Sequence, residues 1–312
     1  MQGLEISKKY YEAFGKPALE AHAPELLSRL AIGLVGDGSE CFGFDDALSR
    51  DHDFEPGFCL WLTRSDYDVH GFSLERLYAK LPKEFEGLSR GALSPVGGNR
   101  RGVLILEDFY QKYLGSPTAP TSNAHWLALP SASLAAATNG EVFIDRLGVF
   151  SEIRSTLLAG YPEDVRRKKL AAHAVMLAQT GLYNFPRCVK RGELGAAQLC
   201  CLEFVKHAIS MVYLLNGRYE PFYKWAYRGL RTLPRFSSLE AALVSLSTMD
   251  NSPTEASAKA ESMEEICALF VGEYGRQGLS TAEGTDIERH ARALQDGITD
   301  SSLRNLHIMA GI

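Results

Sequence analysis

Two carboxylates stand two residues apart in the first quarter of the chain, at Asp51 and Asp53. They precede an apolar run at 58–62 that has the length and composition of a buried strand. If the strand includes them, both side chains project to one face and His52 projects to the other. Carboxylates that close repel each other unless a cation lies between them, and an all-oxygen ligand set favours Mg²⁺ or Mn²⁺. The pair therefore predicts a divalent metal site.

A glycine-rich turn precedes this pair, with eleven residues between them, where the apolar run 31–35 leads into Gly36, Asp37, Gly38 and Ser39. Glycine lets the backbone approach a ligand closely, and the turn offers backbone N–H groups and a hydroxyl to an anion. Phosphate donors beside a metal-binding pair indicate a nucleoside triphosphate (NTP) site. The simpler alternative is that the glycines only shape a loop and that the two aspartates cap a turn.

The string 33–54 reads G-L-V-G-D-G-S-E-C-F-G-F-D-D-A-L-S-R-D-H-D-F. It resembles the signature of the DNA polymerase β-like nucleotidyltransferase superfamily, in which Gly-Ser is followed by Asp-x-Asp, and more narrowly the DUF4037 family within it. The resemblance implies an α+β fold, with a mixed sheet and flanking helices. It also implies that Gly38 and Ser39 bind the triphosphate and that Asp51 and Asp53 are catalytic metal ligands. The implied reaction moves a nucleoside monophosphate to a hydroxyl group and releases pyrophosphate.

Many members of that superfamily add a third carboxylate from a later strand, which binds a second metal or accepts the acceptor's proton. Glu107 and Asp108 close the apolar run 103–106, and Asp145 closes the run 142–145. The string around Asp145, G-E-V-F-I-D-R-L-G, resembles part of the DUF4037 pattern and favours Asp145 as the third catalytic residue. The alternatives are that Glu107 and Asp108 cap the helix after them and that Asp145 is a turn residue.

The length of 312 residues, with 46% hydrophobic and 23% charged residues, predicts two globular domains. The apolar runs named above lie in the first half. After that, helical spacing dominates, for example at 162–179 and 194–215. We therefore expect a nucleotidyltransferase-like α+β domain at 1–148 and an α-helical bundle at 149–312.

Two basic clusters lie in the predicted bundle. Arg187, Lys190 and Arg191 would share one face of a helix, in a stretch that also resembles DUF4037, and could bind the triphosphate or an anionic acceptor. Lys224 and Arg228 lie among aromatic residues that could stack a base. The alternatives are a solvated basic face for the first cluster and a core stripe with snorkelling cations for the second. The resemblance implies that a helical C-terminal domain completes an acceptor pocket.

The net charge of −5 argues against a large nucleic-acid acceptor, because such acceptors are bound through positive charge. Resemblance to antibiotic-modifying members of the superfamily suggests a small-molecule hydroxyl acceptor, while a protein or tRNA acceptor stays open. The N-terminus lacks the apolar core of a signal peptide, and no uninterrupted apolar run approaches roughly 18 residues, so we expect a cytoplasmic protein without a membrane segment. The six cysteines form no C-x-x-C pair, which argues against a zinc site.

A second class of function fits the same patterns. A regulatory or interaction protein that binds a nucleotide without turnover would keep Gly38, Ser39 and the aspartate pair. It would lack a working third carboxylate.

Overall fold

The computed structural model describes residues 2–50, 55–90 and 100–312. Asp51, His52 and Asp53 therefore lie outside the described residues. The described chain divides into two compact units. We call them the sheet unit, residues 1–120 and 132–159, and the helical unit, residues 121–131 and 160–312.

The sheet unit contains a four-stranded mixed sheet in the order β5-β2-β1-β6. Strand β1 pairs antiparallel with β2 and with β6, and β2 pairs parallel with β5. These strands are β1 (Ala31–Leu34), β2 (Cys59–Leu62), β5 (Gly102–Ile105) and β6 (Glu141–Asp145); a separate hairpin is formed by β3 (Glu84–Phe85) and β4 (Leu88–Ser89).

All residues of the two central strands are buried, which explains why both read as continuous apolar runs instead of alternating ones. The register brings the last residues of β1 beside the first residues of its neighbours: Gly33 is opposite Cys59, and Leu34 is opposite Glu141. Cys59 in turn pairs with Gly102 at the start of β5. We call this side of the sheet the glycine-turn edge, because residues 36–39 follow β1 there.

Helices flank the sheet. Those of the sheet unit are α1 (Gly3–Tyr10), α2 (Lys16–His22), α3 (Arg64–Ala79), α4 (Leu106–Leu114), α6 (Ser131–Thr138) and α7 (Val149–Leu158). A π-helical turn, Tyr11–Gly15, joins α1 to α2, and short 3₁₀ segments follow at Pro24–Leu26, Ser39–Phe42 and Ala47–Arg50. Side chains from α1, α2 and α3 pack with Ile32, Leu60 and Val103 in one hydrophobic core. The predicted α+β class, with a mixed sheet and flanking helices followed by helices, is confirmed.

The helical unit has its own hydrophobic core, built largely on the 22-residue helix α10. Its helices are α5 (Asn123–Ala128), α8 (Glu163–Leu177), α9 (Phe185–Lys190), α10 (Leu194–Leu215), α11 (Tyr223–Leu230), α12 (Leu239–Thr248), α13 (Pro253–Arg276), α14 (Ile287–Asp296) and α15 (Ser301–Arg304). A π-helical stretch, Ala178–Asn184, connects α8 to α9.

The unit boundaries differ from the expected division at residue 148 in two places. Helix α7 belongs to the sheet unit, where Tyr110 donates a 2.8 Å hydrogen bond to the Phe150 carbonyl. Residues 121–131 belong to the helical unit, where Asn123 donates to Asp300 at 2.9 Å and Ser131 accepts from the Glu220 backbone N–H at 2.7 Å.

Helix α10 is the one helix in the described ranges that is long and apolar enough to cross a membrane, with a mean hydropathy of 1.3 over its most apolar window. Within the structure 61% of that window is buried, as in the core helix of a bundle. The helix also carries Glu203 and Lys206, so it is not an uninterrupted apolar run. It is weak evidence for a membrane segment.

Candidate functional site

The glycine turn after β1 is held by hydrogen bonds from Asn139, which lies in the connection between α6 and β6. Gly36 has a φ of 138°, a conformation that side-chain-bearing residues rarely adopt. The Gly36 N–H donates to Asn139 Oδ1 at 2.9 Å, and Asn139 Nδ2 donates back to the Gly36 carbonyl at 2.6 Å. The Asn139 amide immediately before β6 therefore fixes the turn at the end of β1.

Gly38 and Ser39 continue the turn into a 3₁₀ segment. Gly38 is buried, and an added Cβ there would overlap the Glu40 carboxylate. Ser39 is partly exposed and opens the segment, which ends where Gly43 takes a left-handed conformation. The close approach of Glu40 explains why glycine stands at position 38.

Glu40 forms a buried ion pair with Arg101, the residue before β5. Arg101 donates to Glu40 Oε1 at 2.7 Å, and the two residues are only 7% and 8% exposed. Burial lowers the pKa of Arg101, but the Glu40 carboxylate and its neighbours more than offset this and raise the pKa above its ordinary value. The pair joins the glycine turn to β5 across the glycine-turn edge, which gives Glu40 a structural role.

A cavity of about 310 Å³ opens beside this turn, entirely within the sheet unit. Its polar lining includes Asp37, Glu40, Arg100, Arg101, Asp108, Lys112 and Tyr113, together with the backbone of Gly36 and Gly38. Lys112 Nζ lies 2.5 Å from Asp37 Oδ2 and 4.8 Å from the centroid of the Tyr113 ring. Burial, with the Asp37 carboxylate beside the ring hydroxyl, raises the pKa of Tyr113 and keeps it neutral. The cavity thus combines glycine backbone with Lys112 and Arg101, each of which is already paired to a carboxylate.

The three candidates for the third carboxylate have different surroundings. Of these three, all within the described residues, only Asp108 lines the cavity, and it pairs with Arg64 at the start of α3. Glu107 accepts from the Arg64 backbone N–H at 2.9 Å and so caps α3. Both alternatives to Asp145 thus contact the helix that follows β2.

Asp145 lies opposite Ala31, at the end of β1 away from the glycine turn. Its two oxygens accept hydrogen bonds from the backbone N–H groups of Gly148 at 2.8 Å and Ser151 at 2.7 Å. These bonds satisfy the N-terminus of α7. This geometry matches the turn and cap role that competed with the catalytic one, and the catalytic role of Asp145 stays a prediction.

The described residues alone do not build a metal centre. No group of three or more His, Cys, Asp or Glu side chains within 2–50, 55–90 and 100–312 is arranged to hold a metal ion. Near the cavity, Asp37, Glu40 and Asp108 each face a cation instead. The predicted metal ligands Asp51 and Asp53 lie outside the described residues, so the metal site stays a prediction.

Between the turn and the aspartate pair, Asp45 contacts a distant part of the chain, whereas Asp46 has a local role. Asp45 accepts from the Gly3 backbone N–H at 2.9 Å. Asp46 accepts from the backbone of Leu48 at 3.0 Å and Ser49 at 3.2 Å. The connector is therefore held by hydrogen bonds within the chain, as turn-forming aspartates provide.

The predicted basic residues Arg187, Lys190 and Lys224 all lie in the helical unit and are exposed. Arg187 lies over the ring of Tyr183 at 6.0 Å, and Lys224 lies over the ring of Trp225 at 5.2 Å. Neither contact includes a carboxylate. Their proposed contact with a nucleotide stays a prediction.

Sequence reasoning missed Lys112 and Tyr113 as cavity residues. They lie at the end of an amphipathic helix and carry no motif, and only the return of α4 across the sheet brings them to the glycine turn. A lysine in the last turn of a helix is normally explained by its favourable interaction with the helix dipole. The sequence therefore carries no signal that Lys112 lines a cavity.

Comparison with known proteins adds a family match to part of the chain. The family model described as "Domain of unknown function (DUF4037)" matches residues 126–226. The resemblance to DUF4037 is confirmed over this segment, which includes β6 and the basic cluster at 187–191 and excludes the glycine turn and the aspartate pair. No protein of curated function matches the chain.

Among solved structures, a nucleotidyltransferase-like protein from Exiguobacterium sibiricum 255-15 is similar over 90% of each chain, with 10% identity and a TM-score of 0.37. That score is too low for the similarity to transfer a fold or an activity to this chain.

Proposed function

We propose that the protein is a metal-dependent nucleotidyltransferase. It would move a nucleoside monophosphate from an NTP to a hydroxyl group, on a small molecule in preference to a protein or tRNA, and work in the cytoplasm, where nucleotides are supplied. The observation that carries the proposal is the cavity at the glycine-turn edge. The Gly36–Gly38 backbone lines it, and the pairing of Gly33 with Cys59 puts the start of β2 at the same edge.

The proposed reaction is an in-line displacement at the α-phosphorus. The acceptor oxygen forms a bond to phosphorus while the bond to the bridging oxygen of pyrophosphate breaks, and the acceptor proton passes to a carboxylate. Mg²⁺ or Mn²⁺, held by Asp51 and Asp53, would neutralise phosphate charge and align the attacking oxygen.

The described side chains suggest how the triphosphate would be held. Lys112 lies at the mouth of the glycine turn with Asp37 as its present partner, and both side chains are half exposed. An exposed pair of this kind contributes little stability, so a phosphate oxygen can replace Asp37 at low cost. The buried Glu40–Arg101 pair would stay in place and keep the turn in position.

A nucleotide-binding protein without turnover is the second candidate. It is favoured by the partners of the candidate third carboxylates, since Asp108 faces Arg64 and Asp145 caps α7. If no carboxylate accepts the acceptor's proton, the cavity would still bind a nucleotide, and its occupancy could control an interaction.

One experiment separates the two. The full chain is incubated with NTPs labelled at the α-phosphate, with Mg²⁺ or Mn²⁺, and with a small-molecule extract. We expect label in a new small-molecule product, and at least about a hundredfold lower rate for Asp51→Asn and Asp53→Asn, because metal stabilisation is worth several kcal/mol. The matched control is Asp46→Asn, which replaces an aspartate of the connector and keeps an acceptor for its turn.

The outcomes differ clearly. Metal-dependent NTP binding without label transfer, lost in the Asp51 and Asp53 variants, favours the regulatory protein. Absence of NTP binding by the wild-type chain contradicts both candidates. Equal rates for the wild-type chain and the Asp51 variant would contradict the metal-dependent mechanism.

A further inference from the structure

A second cavity, of about 850 Å³, lies in the helical unit, and all of its lining residues belong to that unit. Apolar side chains such as Leu127, Leu129 and Leu306 form part of its wall. Helices α8 and α10 contribute the polar side chains of the lining, Lys169, His173, Lys206, His207 and Ser210. Among the described residues that line it there is no aspartate or glutamate.

Lys169 is the most constrained of the polar groups. It is 8% exposed, and its Nζ donates to the backbone carbonyls of Gly311 at 3.0 Å and Leu127 at 3.3 Å. Its Nζ also lies 5.3 Å from the centroid of the Tyr161 ring. Within the described ranges no carboxylate pairs with this ammonium group, and burial lowers its pKa to about 8. A buried cation at the wall of a cavity, with neutral partners only, lacks the counter-charge that burial normally demands.

The neighbouring histidines extend the polar wall. His173 lies one turn after Lys169 on α8, and its Nδ1 is 2.9 Å from Nδ1 of His207 on α10. One of these nitrogens must donate and the other must accept, so the pair is held in a fixed orientation while both rings are neutral. Burial lowers the pKa of His173 well below its ordinary value and that of His207 to about 4.

Two carboxylates contact polar side chains of this wall without lining the cavity. Glu203 Oε2 is 3.5 Å from Lys206 Nζ and 3.6 Å from His207 Nε2, and it is half exposed. Glu220 accepts a 2.5 Å hydrogen bond from Ser210. Neither lines the cavity, and Lys169 and Lys206 carry the charged side chains among the described residues that do line it.

We propose that this cavity binds a small organic anion, a carboxylate or phosphate group attached to an apolar body. The anionic group would lie against Lys169 and Lys206, and the apolar body would contact the leucine wall. The ligand would supply the counter-charge that Lys169 lacks. These lining residues of α8 and α10 lie within the segment that matches DUF4037. The site is independent of the proposed nucleotide transfer, since no residue of the first cavity is used.

The test is direct binding to the full chain, measured by titration calorimetry. Benzoate and phenyl phosphate are the two anionic probes, and benzamide is the neutral counterpart of benzoate. We expect at least one anion to bind at one site per chain and benzamide to bind at least about tenfold more weakly, a difference of about 1.4 kcal/mol. The stronger of the two anions indicates whether the natural ligand carries a carboxylate or a phosphate.

Lys169→Met removes the charge and keeps an unbranched side chain that fits a buried position. We expect it to weaken anion binding at least about tenfold and to leave benzamide binding unchanged. Lys206 is exposed, so Lys206→Gln serves as a second variant in case Lys169→Met fails to fold. It should also weaken anion binding. Lys80→Met, an exposed lysine at the end of α3, is the charge-matched control and should bind as the wild type does.

Three results would overturn the proposal: no binding of either anion by the wild-type chain, equal affinity for benzoate and benzamide, or full affinity in both lysine variants. None depends on an NTP or a divalent metal, so failure here and failure of the proposed transferase are distinguishable.

Discussion

Arg101 and Glu40 show how a single buried ion pair can hold the glycine turn in position. Each is at least nine-tenths buried, and they are separated by 61 positions in sequence. Arg101→Met should lower the free energy of unfolding by about 3–5 kcal/mol, because it leaves the Glu40 carboxylate buried without a partner. Urea denaturation of the purified chain measures the change.

The double variant Glu40→Leu with Arg101→Met provides the control for that prediction. It removes both charges, so it should lose less stability than Arg101→Met alone. A double variant less stable than the single one would mean that the cost comes from lost packing and not from an unpaired carboxylate.

At this scale the sequence predicted the turn but not its support. The residue types of Gly36 and Gly38 alone predict a tight turn. Asn139 looks like an ordinary turn residue before Gly140, yet its amide makes both hydrogen bonds to Gly36 across 103 positions. Contacts of that range depend on strand pairing, which single-residue propensity does not encode.

Strand β6 and helix α7 allow the third-carboxylate question to be tested at the scale of elements. Asp145 accepts two backbone hydrogen bonds at the start of α7, whereas Asp108 lines the cavity. Asp145→Ala should lower the free energy of unfolding by about 1–2 kcal/mol through loss of the cap and leave NTP binding unchanged.

Asp108→Asn is the matched variant for this test. If Asp108 accepts the acceptor's proton, its replacement should slow label transfer by about 10²–10⁴-fold with little effect on stability. The opposite pattern, with transfer lost in Asp145→Ala at unchanged stability, would restore Asp145 as the catalytic carboxylate.

Element identity was predictable where apolar spacing is strong. The runs 31–35, 58–62 and 103–106 correspond to β1, β2 and β5, and 194–215 corresponds to α10. The spacing of apolar residues at 17–30 predicts one helix, whereas the structure has α2, a 3₁₀ turn at Pro24–Leu26 and a loop there. Ala23 directly precedes Pro24 and has a φ of −152°, outside the helical region, because the proline ring disfavours the helical conformation of the residue before it.

On the scale of the whole molecule, the chain crosses between its two units more often than composition reveals. The shift towards helical spacing near residue 149 is real, but α7 packs with the sheet unit and residues 121–131 pack with the helical unit. Short helices such as α5 carry little periodic signal, so their placement depends on long-range contacts, such as Asn123 with Asp300.

The buried histidine pair makes a prediction about the stability of the whole chain. The pKa of His207 is lowered to about 4 and that of His173 well below its ordinary value, so the unfolded state binds more protons below about pH 6.5. Stability should therefore fall as the pH decreases from about 7 to about 5. The contribution of His207 to this loss is about 2 kcal/mol.

Glu220 acts in the opposite direction over part of this range. Its pKa is raised by burial to about 6, so the folded state takes up a proton there and gains stability as the pH falls. The pH dependence of the wild-type free energy of unfolding contains both effects. The difference between the wild type and His207→Gln removes the contribution of Glu220, because both proteins contain it. We expect urea denaturation at about pH 7 and pH 5 to show a smaller loss for His207→Gln than for the wild type, by up to about 2 kcal/mol. An equal loss in both proteins would contradict a neutral, buried histidine pair.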